Sequence, residues 1–506
     1  MGKPALFLLS ILAASYACDA YNILVAFPFP GKSHSFLGNA VVRHLLKAGH
    51  EVTYITPFVT KDENPKLKQI FSTSVFEMQE QISIKQIMKK EMSLNNIEYI
   101  FFMFNKFVTL ALEDKNVQRL LEDQSQRFDL IIAEWLFSDL FSSLQAVYDA
   151  PLIWFFSTEP ETTMLSMIDD YLNPAYNGLF VPHSPPFTFM QRLNTLWQTI
   201  KVVAVRETAI NYMEHLTYKQ VIVPHIKSRG RVPPSYGELR YNASLVLGNS
   251  YVAMGEAITL PQNYKHIGGF HIEEKIQPLP EDLQRIINDS THGVIYFSMG
   301  SSFLSKDLPE ELKRSFVEMF GTLKQTVLWK FEEELPNLPS NLHILKWAPQ
   351  QSILAHPKCI LFITHGGMLS TIETINAGKP TISIPVAADQ FTNVIRAVNK
   401  GFAKKVDLTY EMTKDLKAAI EEVLTNPTYT EKAKELSFIF HDRPSKPEDE
   451  LVHWTEHVIK TQGAPHLRSP ALLVPWYQKI CLALPINVKI MRSLEDIEGI
   501  CGGVGT

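Results

Sequence analysis

From Asn22 to Ile384 the chain repeats one pattern: a short uninterrupted apolar run, a break with proline or glycine, then apolar residues at helical spacing. A strand buried on both faces reads as such a run, and a helical crossover returns the chain to a parallel neighbour in one hand only. Ile23–Phe27 is the first run, Pro28-Phe29-Pro30-Gly31 breaks it, Phe36–Lys47 has helical spacing and stops at Gly49, and Glu51–Thr56 alternates as a strand. Leu130–Ala133 and Pro151–Phe156 continue the series. A second series begins near Leu245, with strands expected at Val294–Ser298, Val327–Phe331, His343–Lys346, Ile360–Thr364 and Thr381–Ile384. Helices are expected at Glu310–Leu323 and Thr371–Asn376, and Leu260–Pro280, with its prolines and glycines, reads as a linker. At 506 residues the chain exceeds one ordinary domain. The expected fold class is α/β, two Rossmann-like doubly wound domains facing across a cleft, with ligands on loops beyond the carboxyl ends of strands.

The expected divisions are a signal peptide at 1–20, a first domain at 21–244, a second at 245–440 and a tail at 441–506. Lys3, the apolar run Ala5–Ala14 and small residues at Ser15, Ala17 and Ala20 have the layout of a cleaved secretory signal. Asn242-Ala-Ser244 and Asn288-Asp-Ser290 are glycosylation triplets consistent with a lumenal chain. Residues of about 160–230 are helical, aromatic and proline-punctuated, as a lid over a bound acceptor would be. A net charge of −5 without any basic block gives a nucleic-acid partner no electrostatic support, and none is expected. Cys18, Cys359, Cys481 and Cys501 have no metal-ligand spacing. The longest late apolar run, Ile480–Ile486, is broken by Pro485 and falls far below the roughly 18 residues of a membrane span. The chain is therefore expected in the secretory pathway without a membrane anchor, and Ile100–Phe107 is the stretch from which peripheral membrane contact would come.

Four short constellations carry chemistry. His34 stands between the first strand and the first helix, where a helix N-terminus disfavours imidazolium and leaves a neutral ring able to take a hydroxyl proton. The competing reading is a solvent-facing loop histidine. Ala26–Ser33 also resembles a relaxed phosphate-binding P-loop, the runner-up NTPase reading. Pro28 and Pro30 lack the N–H groups with which such a loop cradles phosphate. Thr364-His365-Gly366-Gly367, followed by Ser370 and Glu373, joins a buried strand to an open helix start, an anion site unless it is a plain tight turn. Trp347 and Gln350 offer a flat face and an amide for a base, although a lone tryptophan is more often core. Asp389-Gln390 after a strand suits sugar hydroxyls, yet surface loops hold such pairs too. Together they order a base stacker, a phosphate site and a sugar clamp on consecutive loops. No D-x-D triplet offers a metal-ligand pair, and no G-x-G-x-x-G follows a strand, so neither a metal nor a nicotinamide cofactor is expected.

The stretch Trp347–Gln390 resembles the signature of the animal UDP-glycosyltransferase family, which has the GT-B fold: Trp-Ala-Pro-Gln, Thr-His-Gly-Gly, Ser, Glu, Pro380, Pro385, Asp-Gln. The resemblance continues through Phe27–His34, Ile267-Gly268-Gly269, Tyr296–Ser301, Asp442-Arg443-Pro444 and Gly463–Ser469, and is closest to insect members. It implies an acceptor-binding first domain, a donor-binding second domain and a tail that crosses back near 451–462. It implies that Trp347 stacks uracil, Gln350 contacts uridine and Glu373 holds the ribose. Ser301, His365, Gly367 and Ser370 would hold the diphosphate, Asp389 and Gln390 the sugar, and His34 would deprotonate the acceptor. The partners are then a UDP-sugar and a small lipophilic hydroxyl compound, with inversion at the anomeric carbon; the alternative is a nucleotide-sugar-binding protein without turnover. Leu369 stands where the family often has Asn, Thr381 where an apolar residue is usual, and Glu134 where the acidic partner of the base is usually Asp. Asp139 is the alternative partner, with a solvated helix position as its competing reading.

Overall fold

The computed structural model of the protein describes residues 20–474, apart from 82–87, 89–95, 180, 182, 184 and 302–304. Residues 1–19 of the expected signal peptide, with Cys18, and the last part of the expected tail, with Cys481 and Cys501, lie outside the described residues.

The first sheet contains β1 (Asn22–Ala26), β2 (Glu51–Thr56), β3 (Leu67–Phe71), β4 (Leu130–Glu134), β5 (Leu152–Phe156), β6 (Leu245–Gly248) and β7 (Tyr264–His266), all parallel, in the order β3-β2-β1-β4-β5-β6-β7. The second contains β8 (Val294–Ser298), β9 (Thr326–Lys330), β10 (Leu342–Leu345), β11 (Cys359–Thr364), β12 (Thr381–Ser383) and β13 (Ala403–Lys405), also parallel, in the order β10-β9-β8-β11-β12-β13. In each sheet the strand order reverses once, between β1 and β4 and between β8 and β11. At such a reversal neighbouring crossovers leave on opposite faces, which opens a crevice beyond the strand ends. The fully buried runs Leu24–Ala26 and Ile131–Ala133, and Ile295–Phe297 with Leu361–Ile363, stand on either side of these two points.

The expected division at 244/245 is corrected. β6 pairs with β5, Ile153 opposite Leu245, and β7 pairs with β6, so both complete the first sheet. A buried apolar run specifies that a strand exists, not which edge receives it. The crossing between domains consequently follows His266, and β7 lies inside the expected linker.

The helix Thr428–His441 stays with the second domain, where Ala433, Leu436 and Phe440 pack with Ile372 and Ile375. Arg443 then turns the chain: its guanidinium lies 3.7 Å from the Tyr251 ring and 4.2 Å from that of Phe440, and it donates to the Gly268 carbonyl at 2.7 Å. The helix Pro447–Lys460 follows, and its Leu451 and Val458 enter the first domain's core beside Ile23, Val25 and Leu130. The apolar stretch Ile100–Phe107 is only partly in solvent, mainly through Phe102. Ile100, Phe101 and Phe107 are buried, and the helix Ile97–Glu113 leaves only parts of its opposite face in solvent.

Candidate active site

β1 ends at Ala26, and the helix Lys32–Lys47 begins five residues after Phe27 with Gly31 as its cap, so His34 sits inside the first helical turn rather than ahead of it. β4, hydrogen-bonded to β1 with Ala26 opposite Ala133, carries Glu134 one residue further to the same edge. His34 Nδ1 and Glu134 Oε1 are 2.5 Å apart, with the carboxyl fully buried and the imidazole 20 % exposed. Among the described residues Glu134 Oε2 has no hydrogen-bond partner. Burial alone would lower the His34 pKa, but Glu134 by charge and hydrogen bond, and Asp389 by charge, outweigh it and hold the pKa above the usual histidine value. The expectation that a helix N-terminus keeps this ring neutral is thereby corrected: the carboxylates govern it.

The second domain faces this pair with the ends of β8, β9 and β11 and the starts of two helices. The helix Met368–Ala377 opens at Gly367 with no side-chain cap, leaving its first N–H groups for another partner. His365 lies between two glycines. A Cβ on Gly300 would stand 2.5 Å from the imidazole and one on Gly367 2.4 Å, so neither position admits a side chain while the ring keeps its place. Burial, with Lys330 adding to it, pushes His365 down to about 4, so it serves as a neutral hydrogen-bonding ring at neutral pH. Lys330, at the end of β9, donates to the Gly300 carbonyl at 2.9 Å and to Glu332 at 2.5 Å.

Gln350 and Glu373 are already in register. Gln350 Nε2 donates to Glu373 Oε2 at 2.5 Å and to Ser370 Oγ at 3.2 Å, Gln351 Nε2 donates to Glu373 Oε1 at 3.1 Å, and the Tyr296 hydroxyl donates to Gln350 Oε1 at 3.2 Å. Burial pushes the Glu373 carboxyl up, while both glutamine hydrogen bonds oppose it. Trp347 is 59 % exposed, so it is not the core tryptophan of the competing reading, and Lys32 Nζ stands 5.1 Å from its ring. Asp389 opens the helix Asp389–Asn399 and accepts from Asn393 at 2.7 Å; burial raises its pKa, against the pull of Asn393 and His34. Gln390 Oε1 takes the Val386 and Ala387 N–H groups at 2.8 and 3.1 Å, which leaves its NH₂ for other partners. Between them Ala388 has φ 51° and ψ −129°, a conformation that costs a non-glycine residue about 1–3 kcal/mol and is found where a site demands it.

Two cavities meet here. One of about 350 Å³ is lined by Trp347, Gln350, His365, Gly367, Ser370 and Glu373, together with Ser301, Leu369, Asp389 and Gln390. The other, about 840 Å³, is walled by Phe29, Phe58, Phe76, Phe104, Phe107 and Phe137, with Glu159, Glu161, Asp307 and Arg396 among its charged groups. His34, Lys32, Ser301, Asp389 and Gln390 line both. Every sequence-expected site residue except Glu134 and Asp139 lines the smaller cavity, and Glu134 reaches it through His34.

Asp139 is elsewhere. It accepts from Trp135 Nε1 at 2.8 Å, Arg206 at 3.0 Å and Arg240 at 2.8 Å, and it is 2 % exposed. The solvated-helix reading of Asp139 is corrected along with the alternative partnership: it is a buried structural ion. Lys32, Tyr296, Lys330 and Gln351 line the smaller cavity too, although sequence reasoning assigned none of them a role there. Lys330 had a usable signal, a charged residue at the end of a buried strand, whereas Tyr296 and Gln351 gain meaning only from their neighbours.

Among the described residues there is no cluster of three or more potential metal ligands, and no helix is long and apolar enough to cross a membrane. The sequence profile of the UDP-glucoronosyl and UDP-glucosyl transferases matches residues 23–486. The chain is 33 % identical to UDP-glycosyltransferase UGT5 of Dactylopius coccus, over 92 % of this chain and 88 % of that one. It is 31 % identical to UDP-glucosyltransferase 2 of the same insect, over 91 % and 88 %. Its backbone is similar to that of the glycotransferase of kitacinnamycin, with a TM-score of 0.58 and 17 % identity, over 88 % of this chain and 100 % of that one.

Proposed function

Because this chain belongs to the UDP-glucoronosyl and UDP-glucosyl transferase family, we propose that it transfers glucose from UDP-glucose to a hydroxyl of a small lipophilic acceptor, with inversion at the anomeric carbon. The observation that carries this reading is the position of His34, backed by Glu134, in the wall common to the smaller cavity that holds Trp347, Gln350 and Glu373 and the larger aromatic one. A transferase needs its base where donor and acceptor meet.

In this reading uracil stacks on exposed Trp347, and the preformed Gln350–Glu373 pair takes the uridine and its ribose hydroxyls. The diphosphate lies against Ser301, His365, Gly367, Ser370 and the open N-terminus of the helix Met368–Ala377. No metal is invoked; Lys32 and Lys330 are the cations lining the cavity. Asp389 and the NH₂ of Gln390 hold the sugar beside His34. The acceptor oxygen loses its proton to His34 Nε2 as it attacks the anomeric carbon, the bond from that carbon to the diphosphate oxygen breaks on the opposite face, and UDP departs. Glu134, on Nδ1, fixes the tautomer and stabilises the imidazolium that forms. Glucose as the sugar is supported by likeness to the insect UDP-glucosyltransferase. The aromatic wall of the larger cavity supports a lipophilic acceptor. We place the protein in the secretory pathway, a reading with which the exposed side chains of Asn242 and Asn288 agree.

The test is incubation with UDP-glucose or UDP-glucuronate and a panel of phenols, read by mass spectrometry. Glucosides together with stoichiometric UDP, at a rate unchanged by EDTA, are expected. Donor binding without product from any phenol would leave a binding protein instead.

A further inference from the structure

Six large exposed apolar side chains lie on one helix, Phe189–Val205: Phe189, Met190, Leu193, Leu196, Trp197 and Ile200, each at least 43 % exposed. At about 100° per residue they share an arc of about 120°. The side that meets the domain is the opposite one, with Thr195 and Val202 as its buried residues. This amphipathic helix therefore turns its apolar face outward, where each side chain forfeits the stabilisation that burial would give. Thr188 and Gln191 close a reciprocal capping box at its start, so the exposed face belongs to a well-formed helix.

The ionisable residues of the helix are Arg192 and Lys201, and it carries no carboxylate. By the same angular count they fall at the two edges of the apolar arc. Lys201 also reaches Glu98 at 3.3 Å, on the neighbouring helix Ile97–Glu113, which exposes Tyr99 and Phe102. An apolar arc with a tryptophan and flanking cations is the layout of a helix lying in a bilayer interface. The arc sinks to the acyl boundary, and the cations stay at the level of anionic headgroups. We propose that the helix Phe189–Val205 docks flat on the surface of an anionic lipid bilayer.

Beneath this helix runs the segment that closes one side of the larger cavity. Asn177, Gly178 and Leu179 line that cavity, and a Cβ on Gly178 would meet the Thr195 methyl at 2.6 Å. Docking would bring the cavity wall against lipid, where lipophilic compounds concentrate; this consequence rests on the transferase reading, while the docking itself does not.

Co-sedimentation of the full chain with vesicles tests it, using phosphatidylcholine alone and phosphatidylcholine with one third phosphatidylserine. The wild type should sediment with the anionic vesicles and far less with the neutral ones. Leu193→Ser/Trp197→Ser should lower that binding by about tenfold or more, and Arg192→Gln/Lys201→Gln should abolish the preference for anionic lipid. Both variants should keep wild-type affinity for UDP, whether or not any transfer is seen. Brominated lipid should quench the wild type more than Trp197→Phe, which reads the contact without disturbing the helix. No sedimentation of the wild type, equal binding to both vesicles, or unchanged binding by Leu193→Ser/Trp197→Ser would overturn the proposal. A lipid-free dimer that this double variant dissolves, seen by ultracentrifugation, would overturn it in favour of a second copy on the same face.

Discussion

His34 draws opposite demands from its surroundings. Burial favours the neutral ring, while Glu134 at 2.5 Å and the nearby Asp389 favour the charged one and prevail. A base acts when unprotonated, so the acid limb of kcat/KM should lie above the ordinary histidine value of about 6.5. Glu134→Gln removes the leading charge that raises this pKa; its limb should move to lower pH while its plateau falls. A pH–rate series on both proteins checks the two shifts at once, and a limb that stays in place would separate His34 from the observed titration. His34→Ala should lower turnover by about 10²–10⁴-fold with UDP binding unchanged. Trp347→Ala and Glu373→Ala should do the reverse, weakening UDP in calorimetry while sparing acceptor affinity. For the lost stacking face alone about 1–3 kcal/mol is expected, taking base stacking as the guide.

At the scale of elements, the loop that leaves β4 is held by charge. Asp139 receives Arg206 and Arg240, Arg240 also reaches Glu207 at 2.9 Å, and Glu214 receives the Asp139 N–H and the Ser138 hydroxyl, both at 2.8 Å. This network ties the β4 loop to the long helical segment that begins at Phe189. Asp139→Asn would leave two buried guanidinium groups short of a counter-charge, a loss of about 3–5 kcal/mol when a buried pair is broken. Chemical denaturation should show that loss, while the folded fraction keeps nearly wild-type kcat/KM because no atom of Asp139 lines either cavity. A variant as stable as the wild type but slow would return Asp139 to the catalytic machinery.

Across the whole molecule, a buried carboxyl of the first domain faces two cations of the second. Glu159 follows β5 in the first domain, and Arg396 and Lys400 lie on and just beyond the helix Asp389–Asn399 of the second. Burial pushes Glu159 up to about 7, with Arg396 and Lys400 pulling the other way. Its unfolded value is about 4.3, so between there and about 7 the folded protein retains a proton that the unfolded chain has released. The contribution of this group is complete below that window and is lost as pH rises through it. Glu159→Gln keeps the shape without the charge; its melting temperature should exceed the wild type's by a few degrees at pH 8 and match it near pH 4. Equal melting temperatures at both pH values would mean that the cleft carboxyl titrates normally.

Much of this was legible in the chain. Fully buried runs such as Ile131–Ala133 announce strands by composition alone, and the spacing between them announces helical crossovers; hence the parallel α/β class and most strand positions could be read directly. Because ligands in such sheets bind beyond strand ends, His34, Trp347, His365 and Asp389 could be picked from loops that follow strands. Pairing could not be read: Leu245–Gly248 is equally apolar beside β5 or in a new sheet, and only packing put it in the first. Nor could the direction in which a helix face points, since both Ile100–Phe107 and Phe189–Ile200 carry apolar faces, yet the first buries Ile100, Phe101 and Phe107 while the second turns Phe189, Leu193 and Trp197 to solvent. Glu134 and Asp139 are both acidic residues near the end of one strand. Glu134 lies on β4, which pairs with β1 and carries its carboxyl to His34, while five residues later the chain has turned Asp139 toward two arginines from distant helices. Sequence determines what each residue prefers to be near; which of several acceptable neighbours it meets is decided when the sheets close, because that choice depends on contacts between residues far apart in the chain, as Ile153 and Leu245 or His34 and Glu134 are.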